Sequence, residues 1–168
     1  MESPDLDPRS ILSTLAEHGV EFVVIGGLAA AAHGSIIPTY DVDIVPRSSV
    51  DNLTRLSSAL RQLEARIRSD AVEDGLPFDH DAESLAAVTV WNLTTRHGDL
   101  DITFMPSGTQ GYQDLIRDAH EEPFFGVVVH IASLADVIRS KQAASRPKDL
   151  RVLPLLRELL SQREVDRD

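Results

Sequence analysis

The 168-residue sequence contains no cysteine. This absence excludes disulfide bonds, zinc sites built on thiolates and a cysteine nucleophile. A chain without cysteine suits a reducing compartment, and its first residues lack the basic and apolar segments of a secretory signal. We therefore expect a cytoplasmic protein.

Long apolar stretches are also missing. The longest uncharged run, 22–34, is interrupted by Gly26 and Gly27 and is shorter than the roughly 20 residues that span a bilayer. The sequence therefore predicts no membrane partner.

Basic residues are scarce, with 16 Lys and Arg against 27 Asp and Glu and a net charge of −11. An acidic excess of this size repels polyphosphates at long range and excludes a protein that coats nucleic acid nonspecifically. The segment 139–157 is the exception, because it carries six basic residues against one acid. The six are Arg139, Lys141, Arg146, Lys148, Arg151 and Arg157. This local charge leaves room for one contact with a phosphate-rich substrate.

The length and a hydrophobic content of 42% are sufficient for one compact domain. We expect a single domain over 1–168, with a core at about 20–131 and a C-terminal basic helical segment at about 133–163. The hydrophobic periodicity predicts helices at 8–19, 28–33, 50–63, 112–119, 133–144 and 148–163, and strands at 22–25, 40–45, 88–94, 100–104 and 127–131. This order indicates an α/β (α+β) fold, a mixed β-sheet flanked by helices with further helices at the C-terminus.

Two segments depart from simple periodicity. The polar stretch 68–84 contains Gly75 and Pro77 and is typical of a loop with at most one short element. Pro154 lies inside the last predicted helix, where it should either kink the helix or mark its first turn.

Three carboxylates form the most informative pattern in the sequence. Asp41 and Asp43 are two residues apart on a predicted strand, so both point to the same face with Cα atoms only about 7 Å apart. Two bare anions this close repel each other unless a divalent cation or a basic side chain neutralises them. Asp101, on another predicted strand, adds a third carboxylate. Oxygen ligands without cysteine favour Mg²⁺ or Mn²⁺, and three convergent carboxylates suit a two-metal phosphoryl-transfer centre.

A glycine pair precedes the carboxylates. Gly26 and Gly27 follow a predicted strand and precede a helix, which allows a phosphate to approach backbone N–H groups. Taken alone, the glycines fit an ordinary tight turn, and the pair of aspartates fits an exposed strand face. The two motifs in this order favour a functional site.

These motifs resemble a known family. The segments 25–29 (Ile-Gly-Gly-Leu-Ala), 33–35 (His-Gly-Ser) and 39–44 (Thr-Tyr-Asp-Val-Asp-Ile) resemble the nucleotidyltransferase superfamily of polymerase-β type, and Asp101 matches its third carboxylate. Residues 133–149 resemble the AbiEii/MenT-type toxin nucleotidyltransferases. The resemblance covers most of residues 20–160.

The resemblance implies a metal-dependent enzyme that moves a nucleoside monophosphate (NMP) from a nucleoside triphosphate (NTP) to an acceptor hydroxyl. In the toxin branch the acceptor can be the 3′ end of tRNA, and an antitoxin protein is then a partner. Asp41, Asp43 and Asp101 would bind Mg²⁺, and Asp101 would also position or deprotonate the acceptor. The remaining nucleotide-site candidates are Gly26, Gly27, Gly34, Ser35, Thr39, Lys141, Arg146, Lys148 and Asp149.

Among these candidates, Lys141 is expected to face the site as a point charge on the triphosphate, with Arg146 and Lys148 as phosphate contacts for NTP or RNA. Asp149 has two interpretations: it orients Lys141, or it is a helix-start residue that interacts with the helix dipole.

The sequence departs from the family pattern at one place. Many relatives have a basic residue between the Gly-Ser turn and the paired aspartates, whereas this chain has Ile-Ile-Pro at 36–38. The basic C-terminal segment is a possible replacement. Two alternatives therefore stay open: a non-catalytic, antitoxin-like binding module that keeps the fold, and NMP transfer onto a protein hydroxyl.

Overall fold

The computed structural model describes residues 5–167. Its helices are α1 (Pro8–Glu17), α2 (Gly26–Ala32), α3 (Val50–Gln62), α4 (Ala82–Ala86), α5 (Tyr112–Leu115), α6 (Leu134–Ala144) and α7 (Pro147–Val165). Its strands are β1 (Phe22–Ile25), β2 (Asp41–Pro46), β3 (Arg66–Ile67), β4 (Val90–Thr95), β5 (Gly98–Thr103), β6 (His120–Phe124) and β7 (Val127–Ile131). The strands form one sheet in the order β3-β4-β5-β2-β1-β7-β6.

The sheet is mixed. Strand β2 runs antiparallel to β1 and parallel to β5, and β1 runs parallel to β7. The two outer hairpins, β4–β5 and β6–β7, are antiparallel. The α/β expectation of a mixed sheet flanked by helices, with helices at the C-terminus, is confirmed.

Strand β2 shows how the core positions the polar face. Val42 and Ile44 are fully buried, whereas the alternating Asp41 and Asp43 are only partly covered. Because side chains alternate across a strand, burying the two aliphatic residues forces both carboxylates to the opposite face.

Two helices begin as the sequence predicts. Pro8 occupies the first turn of α1, and the side chain of Asp7 accepts a hydrogen bond from the Ser10 amide. Ser133 caps α6 by accepting from the Asp136 amide. The Ser133 cap starts α6 directly after β7, and α6 carries the first residues of the basic segment.

The predicted helix 112–119 is wrong beyond its first turn. Helix α5 ends at Leu115, and the chain beyond it leads to the edge strand β6 (His120–Phe124), which the sequence did not predict. A strand with two glutamates and a proline has little intrinsic β propensity. Pairing with β7 across a turn with positive φ at Phe125 and Gly126 forms this strand.

Helix α7 begins at Pro147 and continues past Pro154, so Pro154 does not mark its first turn. Pro154 lies on the exposed face of the helix. There the carbonyl of Leu150, which lacks its usual helical donor, can bind water instead. In the described part of the chain, no helix combines the length and apolar character needed to cross a bilayer.

Candidate active site

The three predicted carboxylates meet at one place on the sheet. Strands β2 and β5 are neighbours, and their register places Asp43 beside Asp101 and Asp41 beside Asp99. One oxygen atom from each of Asp41, Asp43 and Asp101 lies within 4.8 Å of the others. The structure therefore brings together the triad that the sequence predicts.

The electrostatics of the triad reflect crowded negative charge. Burial, together with the charges of Asp41 and Asp101, raises the pKa of Asp43 to about 8, while Lys141 opposes the rise. Burial also raises the pKa of Asp101 to about 6, with Arg68 lowering it and Asp41 raising it. Without added positive charge, Asp43 and Asp101 resist ionisation.

The donor set fits a divalent cation. Within residues 5–167, Asp41 and Asp43 form no ion pair with Lys, Arg or His. Three carboxylates without nitrogen or sulfur ligands are typical of Mg²⁺ or Mn²⁺. Such an ion would supply the positive charge that the triad lacks.

The glycine pair is shaped to admit two site side chains. Gly26 has φ of +68°, and a Cβ at this position would collide with the Asp43 carboxylate. A Cβ on Gly27 would lie 2.8 Å from Oγ1 of Thr39. The glycines are therefore required by the packing of Asp43 and Thr39 against the start of α2, a reason that the sequence did not show.

The hydroxyls near this turn are bonded to the backbone. Thr39 Oγ1 donates to the carbonyl of Asp41 over 3.2 Å, and Ser35 Oγ accepts from the Ile37 amide over 3.3 Å. Gly34 has φ of +107° and faces Leu159. These contacts order the loop from α2 to β2.

Asp149 is buried, with 1% of its area exposed, and fits both of its interpretations. It accepts from the backbone N–H of Arg146 at 3.2 Å and from its Nε at 2.7 Å, which caps the start of α7. Its Oδ1 also lies 3.7 Å from Nζ of Lys141. Burial alone would raise the pKa of Asp149, but the hydrogen bonds and charge of Arg146, together with Lys141, hold it below its ordinary value.

Two cavities adjoin at the triad. The first, here called the basic cleft, has a volume of about 350 Å³ and is lined by the glycine pair, Ser35, Thr39, Arg146 and Lys148, among others. The second, here called the polar pocket, has a volume of about 420 Å³ and is lined on one side by β4 and β5 and on the other by α6. Both cavities are lined by Gly26, Asp43, Asp101, Lys141 and Arg146.

The placement of the remaining predicted residues is mixed. Lys141 lines both cavities, as expected for a residue facing the site. Gly34 lines neither the basic cleft nor the polar pocket, and Asp149 lies behind the wall that Lys141 and Arg146 form.

Sequence reasoning missed Arg68. Its Nη2 donates to Oδ1 of Asp101 at 2.9 Å, and its Nε lies 3.2 Å from Oδ2 of Asp99. Arg68 follows the two-residue strand β3, in a stretch that the sequence predicts as loop. No local pattern marks this arginine, because only the strand order brings it beside β5.

No protein-family profile matches the chain, and no curated protein resembles it in sequence. Two solved structures are similar in fold. The first is TM1012, a candidate nucleotidyltransferase from Thermotoga maritima, with 16% identity, 92% of this chain and 90% of that chain covered, and a TM-score of 0.52. The second is the antibiotic-resistance factor ANT(2″)-Ia, with 15% identity, 94% and 90% covered, and a TM-score of 0.52. The mixed sheet, its helices and these likenesses together show that the chain has a nucleotidyltransferase fold.

Proposed function

We propose that this protein is a Mg²⁺-dependent nucleotidyltransferase that moves NMP from an NTP to an acceptor hydroxyl. One observation carries the proposal: three carboxylate oxygens lie within 4.8 Å of one another where two cavities adjoin, and one of these cavities is lined by basic residues. This arrangement provides a place for a metal, a triphosphate and an acceptor at one point.

The carboxylates would hold the metal. A Mg²⁺ ion held there would offset the negative charge that develops on the phosphates. Burial and the charges of the neighbouring carboxylates raise the pKa of Asp43 and of Asp101. A bound cation would offset the repulsion within the triad. In the basic cleft, Lys141, Arg146 and Lys148 provide positive charge for the triphosphate.

The chemical step is a displacement at the α-phosphorus. The acceptor oxygen forms a bond to this phosphorus, the bond from phosphorus to the bridging oxygen breaks, and pyrophosphate leaves with the electron pair. Asp101 is the residue that accepts the hydroxyl proton. A general base must lie within reach of its proton, and Asp101 lines both cavities beside the other two carboxylates.

The C-terminal segment would supply the positive charge that the Ile-Ile-Pro stretch at 36–38 does not provide. Ile37, Pro38, Arg146 and Lys148 line the same basic cleft, so the C-terminal segment brings positive charge to the cavity that the 36–38 stretch borders. This replacement supports a catalytic protein over a binding module that has lost activity.

For the acceptor we propose the 3′ end of an RNA, with tRNA as the leading candidate. The support is the resemblance of residues 133–149 to the toxin branch, together with the phosphate-binding charge of Arg146 and Lys148. In this role the protein would be the toxin of a toxin–antitoxin pair. Its acidic remainder would suit an antitoxin with a basic surface.

The test is incubation of the purified protein with Mg²⁺, each α-labelled NTP in turn, and either total cellular RNA or a mixture of cellular proteins. We expect label on RNA, with Asp41→Ala reducing transfer at least about a hundredfold, because even the loss of a partner that only orients a metal ligand costs about 10–100-fold. Label on protein would identify the alternative acceptor. Mg²⁺-dependent NTP binding without any transfer would favour the binding module.

A further inference from the structure

The floor of the polar pocket is a small patch of one face of the sheet. In the β4–β5 ladder, Asn92 pairs with Asp101 and Val90 pairs with Thr103. Asp101 and Thr103 are two residues apart on β5 and therefore point to the same face. All four residues line the polar pocket, so Asn92 and Thr103 flank Asp101 directly.

The polar side chains around Asp101 are free to bind a ligand. Asn92, Thr103, Ser107 and Ser140 line the pocket, and none of their side chains forms a hydrogen bond to any residue in the 5–167 region. The hydroxyls of Ser35 and Thr39 in the basic cleft, by contrast, are bonded to their own loop. The polar pocket therefore offers unused donors and acceptors beside the predicted base.

The polar pocket has less positive charge than the basic cleft, because Lys148 lines only the cleft and Asp136 lines only the pocket. Its cations are Lys141 and Arg146, which it shares with the basic cleft, and its acids are Asp43, Asp101 and the buried Asp136. An uncharged group with several hydrogen-bonding atoms fits this lining better than an anion does.

We infer that the polar pocket binds the acceptor and that Asn92 and Thr103 recognise hydroxyls next to the one that reacts. This inference rests on the proposed function. The amide of Asn92 can both donate and accept, as can the hydroxyl of Thr103, which matches neighbouring hydroxyls on a sugar. The ligand class is a group with a vicinal diol, which a terminal ribose of RNA or a free sugar can supply.

The volume of the pocket agrees with this class. A cavity of about 420 Å³ accommodates a nucleoside or a monosaccharide. A ribose placed with its 3′ oxygen at Asp101 has its 2′ hydroxyl on the adjacent carbon, within the reach of Asn92 or Thr103. A lone serine or tyrosine hydroxyl has no second hydroxyl for these residues to bind.

The variants that test the inference are Asn92→Ala and Thr103→Val, with Thr103→Ser as the matched control because it keeps the hydroxyl. Asn92→Ala and Thr103→Val should each raise KM for the acceptor about tenfold, the effect of one lost hydrogen bond. KM for the NTP should stay within about twofold, and Thr103→Ser should behave like the wild type. An increase in KM for the NTP alone would overturn the assignment of the pocket.

The acceptor probes separate the sources of the diol. They are tRNA with an intact 3′ end, the same tRNA after periodate cleavage of its terminal diol, an RNA oligonucleotide ending in 2′-deoxyribose, and free adenosine. We expect the periodate-treated tRNA to be inactive. The oligonucleotide with a 2′-deoxy end should have a KM about tenfold higher than that of an acceptor with an intact terminal ribose. Transfer to free adenosine alone would assign the diol to a small molecule, and transfer to intact tRNA would assign it to an RNA end.

Failure of the inference is distinguishable from failure of the proposed function. Equal use of the 2′-deoxy end, with normal acceptor KM in Asn92→Ala and Thr103→Val, would overturn only the inference. Mg²⁺-dependent NTP binding without transfer to any of the diol probes would also contradict it and leave the NTP site standing. Absence of NTP binding in a thermal-shift assay would overturn the proposed function itself.

Discussion

Nη2 of Arg68 donates a hydrogen bond of 2.9 Å to Oδ1 of Asp101, while Nε of the same guanidinium lies 3.2 Å from Asp99. One arginine thus pairs with two carboxylates of β5, through a hydrogen bond to Asp101 and an ion pair with Asp99. Its charge opposes the burial that raises the pKa of Asp101, whereas Asp43 has no such arginine and reaches a pKa of about 8.

Replacing Arg68 should make Asp101 a weaker acid. In metal-free Arg68→Ala, the pKa of Asp101 should rise above about 6, because burial and Asp41 then act without opposition. Arg68→Lys keeps the charge but not the two-pronged contact, and should fall between wild type and Arg68→Ala. Carboxyl-labelled NMR titration of the metal-free protein measures this, and an unchanged Asp101 titration in Arg68→Ala would contradict the role of the arginine.

The stability of the metal-free protein should fall as the pH rises. Asp43 has an ordinary pKa of 3.8 when exposed and about 8 in the fold, so between these values the folded chain holds a proton that the unfolded chain has released. The stabilisation is complete below pH 4 and is lost as the pH rises through about 8.

Asp43→Asn removes this titration. At pH 9 without divalent ions, its free energy of unfolding should exceed that of wild type by at least about 1 kcal/mol. Added Mg²⁺ should stabilise the wild type and leave the variant nearly unchanged. Urea unfolding of both proteins at pH 6 and pH 9, with and without Mg²⁺, tests these expectations. Without Mg²⁺, the wild type should lose stability relative to Asp43→Asn between pH 6 and pH 9, and a gain in its relative stability would refute the assignment.

Gly26 and Gly34 form a matched pair for testing the turn. Both have positive φ, so alanine strains the backbone at either site, by about 1 kcal/mol or more. Only at Gly26 does the new Cβ collide with Asp43, since at Gly34 the nearest atom is 3.6 Å away, on Leu159. Gly26→Ala should therefore lose Mn²⁺ binding measured by calorimetry, while Gly34→Ala loses stability only. Equal Mn²⁺ affinity in the two variants would contradict the packing argument.

Variants of Lys148 and Arg151 distinguish the effect of a charge in the basic cleft from that of a charge elsewhere on the surface. Both are exposed cations in the first turns of α7, but only Lys148 lines the basic cleft. Lys148→Ala should raise KM for the NTP about tenfold, as the loss of a charged hydrogen bond does, and Arg151→Ala should change it less than about twofold. Similar effects in both variants would indicate a diffuse field in place of a defined phosphate contact.

Local patterns were sufficient for much of the fold and for the carboxylates. The alternation at 41–45 predicts that Asp41 and Asp43 share a face, and burial of Val42 and Ile44 enforces it. The fit of Asp101 beside Asp43 depends on β2 and β5 being neighbours, a pairing that the resemblance implied and that spacing alone cannot establish. Side-chain roles within the triad stay predictions.

The features that were missed depend on how the strands pair. Arg68 reaches Asp101 only because β3 pairs with β4 and β4 with β5. Strand β6 exists because β7 provides its partner, and Asn92 belongs to the site only through its pairing with Asp101. Arg68 and Asp101 are 33 residues apart, so no local pattern links them. Strand β6 is joined to β7 by the short turn at Phe125 and Gly126, but its two glutamates and its proline conceal the strand pattern.

The central claim is that the triad holds a divalent ion required for NMP transfer. The most direct measurement compares transfer of label from α-labelled NTP to RNA by wild type and by Asp43→Asn, with Mg²⁺ and with EDTA. We predict transfer by the wild type with Mg²⁺ alone, and a rate for Asp43→Asn lower by at least about a hundredfold although the variant is folded. Undiminished transfer by Asp43→Asn, or by the wild type in EDTA, would contradict the account.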